Sequence, residues 1–147
     1  MKITPKEYGE MAKKASPPTR SYKTIPMAFL IGGLICAFGQ LLNNTWEKLG
    51  LSQTDASTTT SIALIFIAAL LTGLNLYNKI AKIAGAGTLV PITGFSNSVV
   101  APALEFKSEG YVLGLGAKLF IISGPVIVYG ITASAIYGLI LYLFHLY

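Results

Sequence analysis

The sequence is short of charge. Only 12% of its 147 residues are Asp, Glu, Lys or Arg, while 53% are hydrophobic. Soluble domains carry about 25% charged residues, so a water-soluble fold of this length could not cover itself unless a large partner did so. A membrane protein in one compact domain follows. Histidine and cysteine are nearly missing as well, at one each, His145 and Cys36. A single thiol excludes a disulfide framework, and structural zinc needs about four ligands, so neither a metal nor a cofactor is expected. No histidine lies in the body of the chain to serve a nucleophile. The GAG at 85–87 is followed by no Walker lysine and has no GxGxxG spacing. No catalytic residue is assigned, and an enzyme is not expected.

The charge that is present is unevenly placed. Residues 1–24 hold Lys2, Lys6, Lys13, Lys14, Arg20 and Lys23 against Glu7 and Glu10, which puts +4 of the net +5 in this tail. Nothing beyond charge points to nucleic acid, and no nucleic-acid partner is expected. Beside a hydrophobic run, a basic tail sets topology and rests on anionic lipid. Residues 2–15 suit either a short amphipathic helix at the surface or disorder. The chain therefore divides into a basic cytoplasmic tail, 1–24, and a single helical membrane domain, 25–147.

Within that domain, residues 25–42 contain no charge and reach about 27 Å as a helix, near the thickness of a bilayer core. The long basic region before it and the lack of a small-x-small site after it argue against a cleaved signal peptide. Gly32, Cys36 and Gly39 line one face for close helix packing. A polar connection is expected over 43–57, with Trp46 at the interface, and a second span over 58–77. Lys79 and Lys82 follow it, so the positive-inside rule puts both basic ends in the cytoplasm. Gln40 and Asn75, near the ends of these spans, are expected to bond between helices. The last run, 119–144, would reach about 39 Å against a core of about 30 Å, so tilt, a kink at Pro125 or interfacial exposure is expected. Gly130, Ser134 and Gly138 make a second small-residue face there.

Residues 85–104 do not fit this pattern. They are apolar enough to enter a bilayer, yet hold Pro91, Pro102, three glycines and the polar side chains Thr93, Ser96, Asn97 and Ser98. Irregular backbone survives at membrane depth only when buried in protein or lining a watery cavity. The expectation is an all-α membrane protein of three to four spanning helices with a re-entrant or broken segment here. A proline-kinked ordinary third helix is the alternative. A re-entrant segment returns residues 105–118 to the cytoplasmic side and puts the C-terminus outside; a spanning one reverses both.

Around this segment lie the candidate functional residues. Glu105, Lys107 and Glu109 fall within five positions directly beside it. Charges at a membrane edge are candidates to bind an ion or pair in a gate, against the plainer role of keeping a loop solvated. Thr93, Ser96, Asn97 and Ser98 offer neutral donors to a polar ligand or structure a local turn. Gly87, Pro91, Gly94, Pro102, Gly110 and Pro125 are hinge candidates, because few intrahelical hydrogen bonds break at such positions.

Two stretches carry a resemblance: MAFLIGGLICAFGQLL at 27–42 and YNKIAKIAGAGTLVPITGFSNSVVAPALEFKSEGYVLGLGAKLF at 77–120. Together they resemble the small spore-membrane family of stage V sporulation proteins AC and AEb. The longer basic tail favours the AC branch. The matched positions include Gly94, Phe95, Ser96, Asn97, Glu105, Lys107, Ser108, Glu109 and Gly110, and the resemblance assigns none of them a role. It implies a complex in the inner membrane of the forespore and spore that moves dipicolinic acid, with calcium, during sporulation and germination. Tension-responsive channel behaviour and oligomeric assembly with the stage V proteins AD and AEb are expected on the same ground. A non-conducting assembly subunit of that complex is the alternative.

Overall fold

A computed structural model describes residues 4–15 and 21–145. Lys2, Arg20, Pro17, Pro18 and Tyr147 lie outside the described residues. Among the described residues, six α-helices run in the order α1 (Pro5–Ala15), α2 (Ser21–Lys48), α3 (Gln53–Gly73), α4 (Tyr77–Ala84), α5 (Pro91–Glu105) and α6 (Ser123–Leu143). Helices α2, α3 and α6 are each long and apolar enough to cross a membrane.

The tail contains a real helix. Thr4 caps α1: its backbone N–H and hydroxyl both donate to Glu7 Oε2, at 2.9 and 2.8 Å, and the Glu7 N–H donates back to Thr4 Oγ1 at 3.3 Å. This is a capping box. The backbone bond first, then the side-chain bond, holds the Glu7 carboxyl below its ordinary value. No residue of α1 is buried.

The connection expected over 43–57 is far shorter. Helix α2 continues to Lys48, and α3 begins at Gln53. The polar residues there mark the exit from lipid, while the helix persists until Gly50. Gly50 takes φ +95°, its N–H donating to Glu47 O at 3.0 Å and the Leu51 N–H to Trp46 O at 3.2 Å. That left-handed ending favours glycine. Ser52 then caps α3, accepting from the Asp55 N–H at 3.2 Å.

The second span also ends early. Asn75, at φ 57°, repeats the same ending: its N–H donates to Thr72 O and that of Leu76 to Leu71 O, both at 2.9 Å. Tyr77 therefore opens α4 instead of closing a span over 58–77. Gln40 and Asn75 bond locally rather than between helices. Gln40 Nε2 donates to Asn44 Oδ1 at 2.8 Å, and Asn75 Oδ1 accepts from Asn78 Nδ2 at 3.1 Å.

Helices α2 and α3 pack antiparallel. Gly39 lies opposite Leu64, whose Cδ1 is 3.4 Å from where a Gly39 Cβ would stand, and Asn43 lies opposite Thr60. The buried face of α3 repeats every four residues, as Ala56, Thr60, Leu64, Ala68 and Thr72, which is one stripe of a helix. Small and hydroxyl side chains let backbones approach where lipid supplies no hydrophobic drive between helices. Large apolar side chains such as Phe29, Phe66 and Ile62 face outward.

Helix α6 starts at Ser123, so the run 119–144 is not one kinked helix. Residues 119–122 form a turn, and Pro125 sits in the first helical turn, where no backbone donor is lost. The remaining 21 residues span about 32 Å, matching a bilayer core without a kink.

A candidate conduit at the broken segment

The segment 85–104 folds back on itself. After α4, a 3₁₀ turn, Gly85–Thr88, lies against the first turns of α2. Glycine is required there: a Cβ on Gly87 would meet the Ala28 carbonyl oxygen and stand 2.8 Å from Ala28 Cα, and one on Gly32 would stand 3.3 Å from Gly87 O. Tyr77 Oη donates to Thr88 O at 2.7 Å and pins the turn. Val90 is extended, at φ −55° and ψ 128°, and Pro91 then opens α5 at its first position, where its missing N–H costs nothing.

Contacts along α3 show the depth of this tip and the direction of α5. Val90 and Ile92 share a cavity wall with Ser61 and Leu64 at the middle of α3. Farther on, Ser96 Oγ donates to Ile65 O at 2.9 Å, and Asn97 Oδ1 lies 2.9 Å from Thr72 Oγ1. Helix α5 therefore runs parallel to α3 from its midpoint towards its C-terminal end. Its 15 residues cover about 22 Å, too little to cross a core of about 30 Å. The segment enters and leaves on the side of Gly73, a re-entrant hairpin with its tip at Leu89 and Val90. The alternative of an ordinary kinked third helix does not fit.

Between tip and opposite face lies a polar vestibule of about 660 Å³. One wall is Gln40, Asn43 and Glu47 of α2; the other is Gln53, Ser57, Thr60 and Ser61 of α3; Val90 and Ile92 form the floor. Asn43 Nδ2 donates to Glu47 Oε1 at 2.9 Å, and Thr60 Oγ1 reaches Asn43 Oδ1 at 3.5 Å. Helix α5 begins at this floor without a side-chain cap; Pro91 has no N–H, so Ile92 and Thr93 carry its free N–H groups, at the positive end of its dipole. The sequence reading missed most of this lining. Its signal was present: Gln40, Asn43 and Glu47 recur at steps of three and four, as do Gln53, Ser57, Thr60 and Ser61.

The candidate residues separate by location. Thr93 and Ser96 are buried, and Asn97 joins Ser96 in closing α5 onto α3. The Thr72 hydroxyl is also 2.7 Å from Ala68 O. One hydroxyl proton serves one acceptor at a time, so both contacts are satisfied when the Asn97 amide turns to donate. Ser98 bonds locally, donating to Phe95 O at 2.7 Å. Glu105, Lys107 and Glu109 are all exposed, on the side of the α3 C-terminus and away from the vestibule. Gly110, at φ +101°, turns the chain from the Phe106–Glu109 turn into a π-helical turn, Tyr111–Gly116. Pro102 is buried within α5. Of the small-residue faces, Gly32 and Gly39 pack as described, whereas Cys36 is exposed on the vestibule wall. Gly130, Ser134 and Gly138 are exposed, and a Cβ at either glycine would have nothing within 4 Å.

The family model for the SpoVAC/SpoVAEB sporulation membrane protein matches residues 24–140. The chain belongs to this family. It is also 48% identical over 118 residues to stage V sporulation protein AC of Bacillus subtilis (strain 168), covering 80% of this chain and 79% of that relative. No solved structure matches. The SpoVAC/SpoVAEB match takes in α2 to α5 and most of α6, hence the whole hairpin and both walls of the vestibule.

Proposed function

We propose that this SpoVAC/SpoVAEB protein is a conduit subunit that passes dipicolinic acid, with calcium, across the spore inner membrane during sporulation and germination. The observation that carries the reading is the uncapped start of α5 at the floor of a polar vestibule, half-way through the spanning pair. A dicarboxylate favours a helix N-terminus. Carboxamides and hydroxyls of the walls hold an anion without trapping it as a ring of lysines would, and the carboxylate of Glu47 suits the calcium that accompanies it. Below the floor the path is closed by α5 packed on α3 through Ser96, Asn97 and Thr72. Separating them enlarges the in-plane area, and membrane tension favours the larger state. The N-terminal tail lies on the cytoplasmic side, with the vestibule facing the other way.

One observation favours the alternative of an assembly subunit. Helix α6 exposes Gly130, Ser134 and Gly138 along one face, suited to close packing with another membrane helix, from a second copy or from the stage V proteins AD and AEb. Release of calcium dipicolinate from liposomes holding only this protein separates the two readings. Release on osmotic downshift, absent from protein-free liposomes, supports the conduit; none from liposomes with verified insertion supports the assembly role. Gly87→Ala, Gly94→Ala and Gly110→Ala are expected to change the release rate. Equal flux in all three would remove the hinge from the mechanism.

A further inference from the structure

A second cavity, of about 340 Å³, lies beside the hairpin between α2, α3 and α4. Leu34 and Phe38 of α2 and Ile80 of α4 form its exposed rim; Leu64, Ala68 and Tyr77 lie buried at its base. Three hydroxyls line it, and each is bonded to a backbone carbonyl: Tyr77 to Thr88 O at 2.7 Å, Thr88 to Gly85 O at 3.1 Å and Thr93 to Val90 O at 3.3 Å. Water needs two to four polar partners to occupy a cavity, and these walls have no hydroxyl proton left to offer. Apolar cavities of about 150 Å³ stay dry and take benzene, so this one has room for a longer hydrocarbon. Its rim lies on helices that cross the membrane, where the surrounding medium is lipid chain.

The same short α4 carries a charged feature. Asn75, Asn78, Lys79 and Lys82 line a polar recess of about 580 Å³ that contains no carboxylate. Tyr77 and Ile80 thus turn one face of α4 towards the apolar cavity, while Lys79 and Lys82, about half a turn round the same helix, stand exposed on its other face. An apolar slot under one face of a short helix and a basic patch on its other face match one molecule, a phospholipid whose anionic headgroup reaches round α4.

We propose that α2, α3 and α4 bind an anionic phospholipid, one acyl chain in the apolar cavity and its phosphate at Lys79 and Lys82. The cavity shares Ile35 and Leu64 with the vestibule as walls, but the site does not depend on conduction.

The test uses the full chain reconstituted in vesicles of equal phosphatidylglycerol and phosphatidylcholine, then extracted in detergent and assayed for co-purified phospholipid by mass spectrometry. About one phosphatidylglycerol per chain is expected, enriched several-fold over phosphatidylcholine. Ile67→Phe and Leu34→Trp, which fill the cavity from different walls, should each lower retained lipid several-fold. Ile62→Phe, on the lipid-facing side, should not. Lys79→Gln with Lys82→Gln should abolish the headgroup preference while acyl-chain binding persists. Circular dichroism and size-exclusion profiles matching the wild type qualify each variant as folded. Wild-type protein without retained lipid, or equal retention in both filled variants, overturns the site. Equal retention of the two headgroups by the wild type overturns the placement of the phosphate.

Discussion

At the scale of single residues, lipid changes what counts as a core. The buried positions are mostly small or hydroxyl-bearing, such as Ala56, Thr60, Ala68, Thr72, Thr93 and Ser96, while most large apolar side chains, Leu64 excepted, face outward. Gly87 is the tightest test of this packing. Gly87→Ala forces the 3₁₀ turn off Ala28 and is expected to destabilise by about 1–3 kcal/mol. Gly33→Ala, with open space around it, should be neutral or slightly stabilising; thermal unfolding in detergent compares the two. The pair Thr72 and Asn97 admits a double-mutant cycle. Thr72→Val and Asn97→Leu are expected to show a coupling of about 0.6 kcal/mol, up to ~1.7, in the range of hydrogen bonds between membrane helices. Purely additive effects would mean that the contact does not hold α5 to α3.

At the scale of elements, the re-entrant hairpin sets where water reaches. Cys36 is a native reporter because it is exposed on the vestibule wall. A membrane-impermeant maleimide is expected to label Cys36 from the face of the 49–52 turn, and about tenfold faster than a cysteine at Ile62 in a Cys36→Ser background, since thiolate formation needs water. Comparable slow labelling at both positions would mean that lipid, not water, fills the vestibule. Which elements were legible beforehand follows a simple division. Charge-free runs marked α2, α3 and the greater part of α6, because a bilayer imposes length and apolarity on any helix crossing it. The ends of those helices were not legible from hydropathy. Polarity at 43–48 reads as a loop, yet the helix runs on until Gly50 supplies a left-handed residue, and Asn75 does the same for α3.

At the scale of the whole molecule, three helices long and apolar enough to span and one hairpin are expected to leave the chain termini on opposite faces. A tag after residue 147 is expected to be reached from the side opposite to one before residue 1, as read by protease or thiol access in oriented vesicles. Tags reached from the same side would require α5 to span, against its contacts with Ile65 and Thr72. The vestibule belongs to this scale too. Gln40, Asn43 and Glu47 on one helix, and Gln53, Ser57 and Thr60 on the next, are two polar stripes legible as spacings. Only the antiparallel packing of α2 on α3 turns them to face each other.

The sequence by itself determined that the chain lives in a membrane, that its spans are helical, and that residues 85–104 are broken. Scarce charge, long apolar runs and misplaced prolines state these things locally. Its family was also written there, in the glycine, proline and serine pattern of that segment. Tertiary structure decided the rest: that the broken segment turns back at Val90, that Ser96 and Asn97 close on α3, and that Glu105, Lys107 and Glu109 lie away from the vestibule. Those outcomes depend on which backbone can approach Gly32 and Ala28 closely enough, and close approach is a property of two helices together.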